Sequence, residues 1–213
     1  MDLILASLPL LGQGLLVTLG VSAAVLVIGT VLGAGLGLVL LYGSRGPRLA
    51  ARVYVDTLRG IPQLVLIFAI FYAFPLLGLR LPAMLAGIVA LTLFCAAHVA
   101  EVVRGAVGAI PRGQSDAARG IGLTFAQRLR FVILPQALPP FLPAWTNTAV
   151  EIVKSSSLVS LVSVVDLTMA AQQVVGRTRE ALLFYAVAAA IYFAINIALS
   201  LAGQRLERRF SHG

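Results

Sequence analysis

The feature that most constrains this chain is its alternation of long apolar runs with short bands of arginine. From residue 15 to residue 42 nearly every side chain is apolar or small, and this run exceeds the roughly 20 residues that a helix needs to cross a bilayer. The chain of 213 residues is 60% hydrophobic and only 11% charged, which is too apolar for a water-soluble domain. We therefore expect an all-α integral membrane protein.

Four more apolar runs follow the first, so the sequence predicts five transmembrane helices. They form one transmembrane domain over residues 1–213, with spans at about 15–42, 63–79, 82–103, 138–165 and 181–202. Between them, residues 104–137 form a long polar loop.

Basic residues predict the orientation of these spans. Residues 43–62 hold four arginines, the loop 104–137 holds five and the last ten residues hold three, or twelve of the sixteen basic residues. Positive charge favours the cytoplasmic side, and two spans separate each band from the next. The N-terminus is therefore expected outside and the C-terminus in the cytoplasm. The net charge of +8 comes without an aromatic-interleaved basic patch, which argues against a nucleic acid partner.

The loop 104–137 carries the start and stop signals of a short helix. Ser115 can cap its N-terminus, Asp116 lies in its first turn, and Gly122 can end it. The sequence thus predicts a docking surface with a defined shape.

A second short helix is expected directly after the first. Thr124 and Gln127 stand at the spacing of a capping box, and Pro135 should end the helix that they begin. The chain has no GxxxxGK[ST] phosphate loop, so we expect no nucleotide site and no ATP hydrolysis in this chain.

Three glycines of the first span recur every fourth residue. Gly29, Gly33 and Gly37 therefore share one helix face, where another helix can approach closely. The partner could belong to the same chain or to a second subunit, and the sequence leaves both open.

The fourth span carries charges in its middle. A helix that begins at Leu138 and rises ~1.5 Å per residue puts Glu151 and Lys154 roughly 20 to 24 Å from the inner boundary of a ~30 Å core. Because charges are costly there, the two either neutralise each other or line a polar cavity. In the cavity, Lys154 would meet the carboxylate of a zwitterion and Glu151 its ammonium group.

Further polar residues follow this pair. Ser155, Ser156 and Ser157 offer hydroxyls where the helix could break, as in transporters that bind substrate at unwound segments. Asp166 is expected at the outer mouth, where it either contacts substrate or faces water.

Several motifs together resemble a known family. Asp116-Ala117-Ala118, Gly122 and Ile133-Leu134-Pro135 look like the EAA loop of ATP-binding-cassette importer permeases. Four other segments are similar to permeases for polar amino acids: Arg59-Gly60-Ile61-Pro62, Glu101-Val102-Val103-Arg104-Gly105, Ile110-Pro111-Arg112-Gly113-Gln114 and Lys154-Ser155-Ser156-Ser157-Leu158-Val159-Ser160. The segment Leu134-Pro135-Gln136-Ala137, at the end of the loop, is also similar to these permeases. Two positions depart from the pattern: Asp116 replaces a glutamate, and Ser155 stands where an acid is expected.

The resemblance implies a type I importer domain in a bacterial cytoplasmic (inner) membrane. Its partners would be a cytoplasmic ATPase dimer that carries ATP and magnesium, a second permease copy or homologue, and an extracytoplasmic amino-acid-binding protein. The ATPase would dock on Ser115, Asp116, Ala117, Ala118, Arg119 and Gly122. Substrate would contact Glu151, Lys154, Ser155, Ser156, Ser157 and Asp166. No cofactor is expected in this chain.

Two other classes are compatible with parts of the sequence. An ion-coupled carrier or channel could use His98, Glu101 and the Glu151/Lys154 pair, although we find no inverted repeat. His98 and Glu101 lie three residues apart at the inner end of a span, where a hydrogen-bonded interfacial pair is the simpler expectation. An integral-membrane enzyme would need a nucleophile and base, or a metal set, at one depth.

Overall fold

The computed structural model describes residues 2–211, and in that range all regular structure is helical. The α-helices are α1 (Asp2–Tyr42), α2 (Arg45–Gly60), α3 (Gln63–Phe68), α4 (Ala83–Gly108), α5 (Arg112–Gly120), α6 (Phe125–Arg128), α7 (Leu134–Ser155), α8 (Leu167–Thr178) and α9 (Ala181–Ser211). The expected all-α fold is confirmed.

Short segments of other helical type extend three of these helices. A π-helical turn (Ala69–Ala73) and a 3-10 turn (Phe74–Leu77) follow α3. A second π turn (Leu129–Ile133) joins α6 to α7, and a 3-10 segment (Ser156–Val162) continues α7.

Three helices are individually long and apolar enough to cross a membrane: Leu3–Tyr42, Ala83–Gly108 and Ala181–Phe210. The remaining candidates are bent pairs. The α2 helix meets the α3 segment at 108°, and the segment Phe125–Val162 meets α8 at 52°. Each bent pair adds one span if it crosses as a unit, so the count of five stays a prediction.

The first helix is longer than expected, because it begins at Asp2 instead of near residue 15. Gly12, Gln13 and Gly14 precede the expected start, and tertiary packing keeps them helical. A Cβ atom on Gly14 would lie 2.7 Å from the Asp166 carbonyl oxygen, and Leu11 is buried in a cluster with residues of α8 and α9. The N-terminal turns of α1 thus pack on the last two helices.

The glycine face of α1 packs against α4 of the same chain. A Cβ atom on Gly29, Gly33 or Gly37 would lie 2.6 to 2.7 Å from side-chain atoms of Cys95, Val99 and Val103, respectively. Of the two partners left open, the one within the chain is confirmed. The contact positions increase along both helices in the same order, so α1 and α4 run parallel. The two helices approach most closely at the glycines, where α1 has no side chain.

Helix α7 begins before the expected start at residue 138 and contains Pro139, Pro140 and Pro143. Pro135 does not end the second loop helix, which corrects that expectation. It lies in the first turn of α7, a position where a helix does not require the backbone N–H that proline lacks. The π turn before it accommodates the altered pattern of backbone hydrogen bonds. Trp145 then ties α7 to α1 by donating its indole N–H to the Thr30 hydroxyl at 2.9 Å.

Candidate functional site

The short helix α5 forms the tip of the loop 104–137. It begins at Arg112, directly after Pro111, so Ser115 lies inside it and is not its N-cap. That prediction was wrong because Pro111 already fixes the start. The hydroxyl of Ser115 instead accepts a hydrogen bond from Arg128 at 3.3 Å. Gly122 follows the helix end with a φ of +83°, a conformation that favours glycine, so its expected place at the stop is confirmed.

The start of α6 matches its sequence signal. The Thr124 N–H donates to Gln127 Oε1 at 2.9 Å, and the Gln127 N–H donates to Thr124 Oγ1 at 3.4 Å. This confirms the capping box. Phe125 then packs edge-on against Tyr42 at the end of α1, with ring centroids 5.0 Å apart. The loop is therefore anchored to the body of the protein at its second helix.

The two alanines of α5 lie on different faces of that helix. Ala118 is 4% exposed and packs inside the chain, which corrects its assignment to the contact with a partner. Ala117 is exposed and shares the opposite face with Gly113 and Gly120, at i, i+4 and i+7 spacing. Both of these glycines have open space around them.

Other exposed residues surround this face of small side chains. Asp116 and Arg119 are exposed, and Ile121 projects at the loop tip with 78% of its surface exposed. Sequence reasoning missed Gly113, Gly120 and Ile121. An apolar residue between two glycines, Ile121 between Gly120 and Gly122, was the sequence signal that could have indicated this exposed tip.

The side chain of Gln63 brings α3 and α7 together. It is the first residue of α3, just after the corner with α2, and its Nε2 donates to Glu151 Oε1 at 3.0 Å. The Ser155 hydroxyl donates to Gln63 Oε1, so one amide bridges two residues that lie one turn apart on α7. Gln63 was missed, although a polar side chain at the start of an apolar run is a visible signal.

Glu151 and Lys154 do not neutralise each other. Among the described residues neither forms an ion pair, and Lys154 is exposed. Glu151 Oε2 accepts no recorded hydrogen bond in that same range. Both charges are therefore available to a ligand.

The serines after this pair differ in what they can offer. Ser156 and Ser157 donate their hydroxyls to the carbonyl oxygens of Val153 and Lys154, at 2.8 and 2.7 Å. The helix does not break at these serines but tightens into the 3-10 segment, which ends at Val162. Their hydroxyl hydrogens are thus committed to the backbone, whereas Ser155 is bound to Gln63.

Asp166 is fully buried, which contradicts its expected contact with water. Its carboxylate caps α8 by accepting the Met169 N–H at 2.9 Å, and it also accepts the Tyr192 hydroxyl at 3.2 Å. These bonds hold the start of α8 against α9. Asp166 is therefore a structural cap in this fold.

His98 and Glu101 do not bond to each other, contrary to the expected pair. His98 Nδ1 lies 3.1 Å from the Phe94 carbonyl oxygen, and its ring packs on that of Phe94. Glu101 instead meets three arginines: Arg104 of its own helix α4, and Arg52 and Arg59 of α2.

Comparison with known proteins identifies the family. The model of the family described as "Binding-protein-dependent transport system inner membrane component" matches residues 26–212. This chain belongs to that family. It is an inner-membrane transport component, so the resemblance drawn from the loop motifs is confirmed, while the carrier and enzyme alternatives have no comparable support.

The relatives resemble this chain over nearly its whole length. The glutamine transport system permease protein GlnP of Escherichia coli (strain K12) is 33% identical over 205 residues, which cover 95% of this chain and 94% of that protein. The probable amino-acid ABC transporter permease protein YckA of Bacillus subtilis (strain 168) is 31% identical over 210 residues, which cover 99% of this chain and 93% of that protein.

A solved structure agrees with the fold. The "Crystal structure of an amino acid ABC transporter with histidines" superposes with a TM-score of 0.89 at 33% identity, covering 97% of this chain and 96% of that one. The MetNI methionine transporter in inward-facing conformations gives a TM-score of 0.80 at 27% identity.

Proposed function

We propose that this chain is the permease subunit of an ATP-driven importer for polar amino acids. The observation that carries the proposal is the match to amino acid permeases over nearly the full length, in sequence and in fold. The motifs of the loop and of the fourth span lie inside that match.

The proposed topology has five spans, with the N-terminus outside and the C-terminus in the cytoplasm. The parallel packing of α1 on α4 supports it, since the first and third spans must run in the same direction. A 108° corner between α2 and α3 further supports a helix α2 that lies along the cytoplasmic surface before the chain enters the membrane.

The ATPase would dock on the exposed face of α5 and the loop tip. Small residues at Gly113, Ala117 and Gly120 admit close approach, and Ile121 offers an apolar contact of the kind that a groove on a partner can bury. Asp116 and Arg119 would add polar contacts at the edge. ATP and magnesium would bind to that partner, so this chain needs no cofactor of its own.

Two other partners complete the proposal. A second permease copy or homologue is needed because five helices alone enclose little. An extracytoplasmic binding protein would deliver the amino acid, in keeping with the description of the family.

Substrate would bind at the cluster of Gln63, Glu151 and Ser155, with Lys154 nearby. The free oxygen of Glu151 suits the ammonium group of an amino acid, and Lys154 suits its carboxylate. Ser156 and Ser157 bond to backbone carbonyls and Asp166 caps α8, so we do not expect these three side chains to contact substrate.

Replacement of Glu151 by glutamine tests the substrate site. The glutamine oxygen still accepts the bond from Gln63, so the fold keeps its contact while the charge is lost. We expect the apparent KM for uptake to rise about tenfold or more, the effect of losing one hydrogen bond to a charged group. The measurement is initial uptake in proteoliposomes that contain the permease with its ATPase and binding protein. Glu180→Gln, at an exposed position between α8 and α9, is the matched control.

Normal uptake by an assembled Glu151→Gln complex would place the substrate elsewhere. Because Glu151 and Lys154 form no pair, Lys154→Gln can be interpreted separately and should also weaken uptake. The identity of the amino acid follows from the same preparation, by measuring which one stimulates ATP hydrolysis.

A further inference from the structure

The carboxylate of Glu101 is already saturated by two arginines. Its two oxygens accept three bonds from Arg104, at 2.6 to 3.0 Å, and Arg52 donates to Oε1 at 3.2 Å. The side chain of Glu101 is only 14% exposed. This ion cluster fixes the cytoplasmic helix α2 to the inner end of α4.

Arg59 is the third arginine of the cluster and is bound differently. Its closest approach to Glu101 is 3.9 Å, beyond hydrogen-bonding distance, and its side chain is 43% exposed. No hydrogen bond from this guanidinium is recorded within residues 2–211. The N–H groups of the Arg59 guanidinium can therefore donate hydrogen bonds to another acceptor.

Arg59 lines a cavity of about 380 Å³ at the inner end of the helices. Small-molecule sites span about 300–1,000 Å³, so this volume suits a small ligand. Apolar residues of α4 and α7 form part of the wall, and His98, Thr148 and the arginine-bound Glu101 add polar atoms. The His98 Nδ1 must carry its hydrogen to donate to the Phe94 carbonyl, so Nε2 of a neutral ring can accept a hydrogen bond.

The cavity lies in line with the proposed substrate cluster. Pro140, Ala144 and Thr148 line it from α7 at four-residue spacing, and Glu151 follows one turn later on the same face. On the other side, Arg59 precedes Gln63 by four residues across the α2–α3 corner. One face of α7 thus connects the two places.

We propose that this cavity is an exit site, in which Arg59 binds the carboxylate of an amino acid that has left Glu151 for the cytoplasm. The inference rests on the proposed function. A guanidinium fork matches a carboxylate in bidentate geometry, and Glu101 does not compete because its oxygens are filled. Arg59 also stands on the cytoplasmic side of Gln63, where substrate would arrive last.

The test uses product inhibition in proteoliposomes that contain the complete transporter. Initial uptake is measured while unlabelled amino acid, or its carboxamide without the carboxylate, is added on the ATPase side. In the unmodified protein the amino acid should inhibit and the amide should inhibit far less. Arg59→Gln should raise the inhibition constant of the amino acid about tenfold, the loss expected for one charge-assisted hydrogen bond.

Two variants control for charge and folding. Arg59→Lys keeps the charge but loses the bidentate geometry, so its inhibition constant should lie between those of the unmodified protein and Arg59→Gln. Arg45→Gln removes an exposed arginine from the same helix and should behave as the unmodified protein. Equal inhibition in the unmodified protein and Arg59→Gln would overturn the exit site while leaving the proposed function intact.

Two further outcomes identify other errors. A phospholipid phosphate has the same anionic chemistry, so the assay is repeated in vesicles with and without phosphatidylglycerol. If Arg59→Gln differs from the unmodified protein only with the anionic lipid, the cavity holds a headgroup and the proposal is wrong. If the unmodified protein transports no amino acid with ATP, the proposed function fails and the exit site with it.

Discussion

The contact between α1 and α4 allows a quantitative prediction for Gly33→Ala. A Cβ atom at this position would lie 2.6 Å from the Val99 Cβ and 2.7 Å from the Ala96 carbonyl oxygen. Carbon atoms normally approach to about 3.5–4.0 Å, so the two helices must separate by roughly 1 Å. Neither neighbouring atom lies at the end of a flexible side chain. We expect this overpacking to cost about 1–3 kcal/mol of the free energy of unfolding.

Gly35→Ala is the matched control, because a Cβ atom there meets nothing within 4 Å on the same helix. Alanine stabilises a helix interior by up to about 1 kcal/mol over glycine. Both variants gain this helix propensity, so it cancels, and they should differ by the overpacking cost of about 1–3 kcal/mol in the free energy of unfolding, measured by denaturant titration of the purified protein in detergent. A Gly33→Ala protein as stable as Gly35→Ala would refute the close parallel packing of α1 on α4.

Two other substitutions test local contacts. Thr124→Ala should remove the capping box and destabilise the start of α6 by about 1 kcal/mol, which should be seen as faster hydrogen exchange of the Gln127 amide. Exchange as slow as in the unmodified protein would mean that the cap contributes nothing. Asp166→Ala should lower the free energy of unfolding by about 1–3 kcal/mol because the Met169 N–H and the Tyr192 hydroxyl lose their acceptor. The KM for uptake by the folded fraction should stay unchanged. A higher KM at normal stability would instead indicate that Asp166 contacts substrate.

Some features that depend on neighbouring residues were predictable from the sequence, although the cap expected at Ser115 and the helix end expected at Pro135 were not found. The glycine spacing of α1, the capping box at Thr124 and the stop at Gly122 are set by local geometry, and the structure has them all. The apolar runs similarly located the long helices, although packing of Gly14 on α8 extended the first one beyond its sequence boundary.

Features that depend on long-range contacts were not predictable. Gln63 and Glu151 are 88 residues apart, and only the corner between α2 and α3 brings them together. Burial of Asp166 requires Tyr192 from the last helix. The faces of α5 were also hidden, since an alanine pair in a sequence does not show which methyl group packs inward.

The most direct test of the account is coupling between ATP hydrolysis and uptake in Ala117→Trp. Ala117 lies on the exposed face of α5, so tryptophan there blocks the proposed docking without filling the core. Ala50→Trp, at an exposed alanine of α2, is the control. In proteoliposomes with the ATPase and binding protein, the account predicts that ATP-driven amino acid uptake by Ala117→Trp falls more than about tenfold, equivalent to at least ~1.4 kcal/mol of docking free energy. Ala50→Trp should transport normally, and equal transport by both variants would contradict the account.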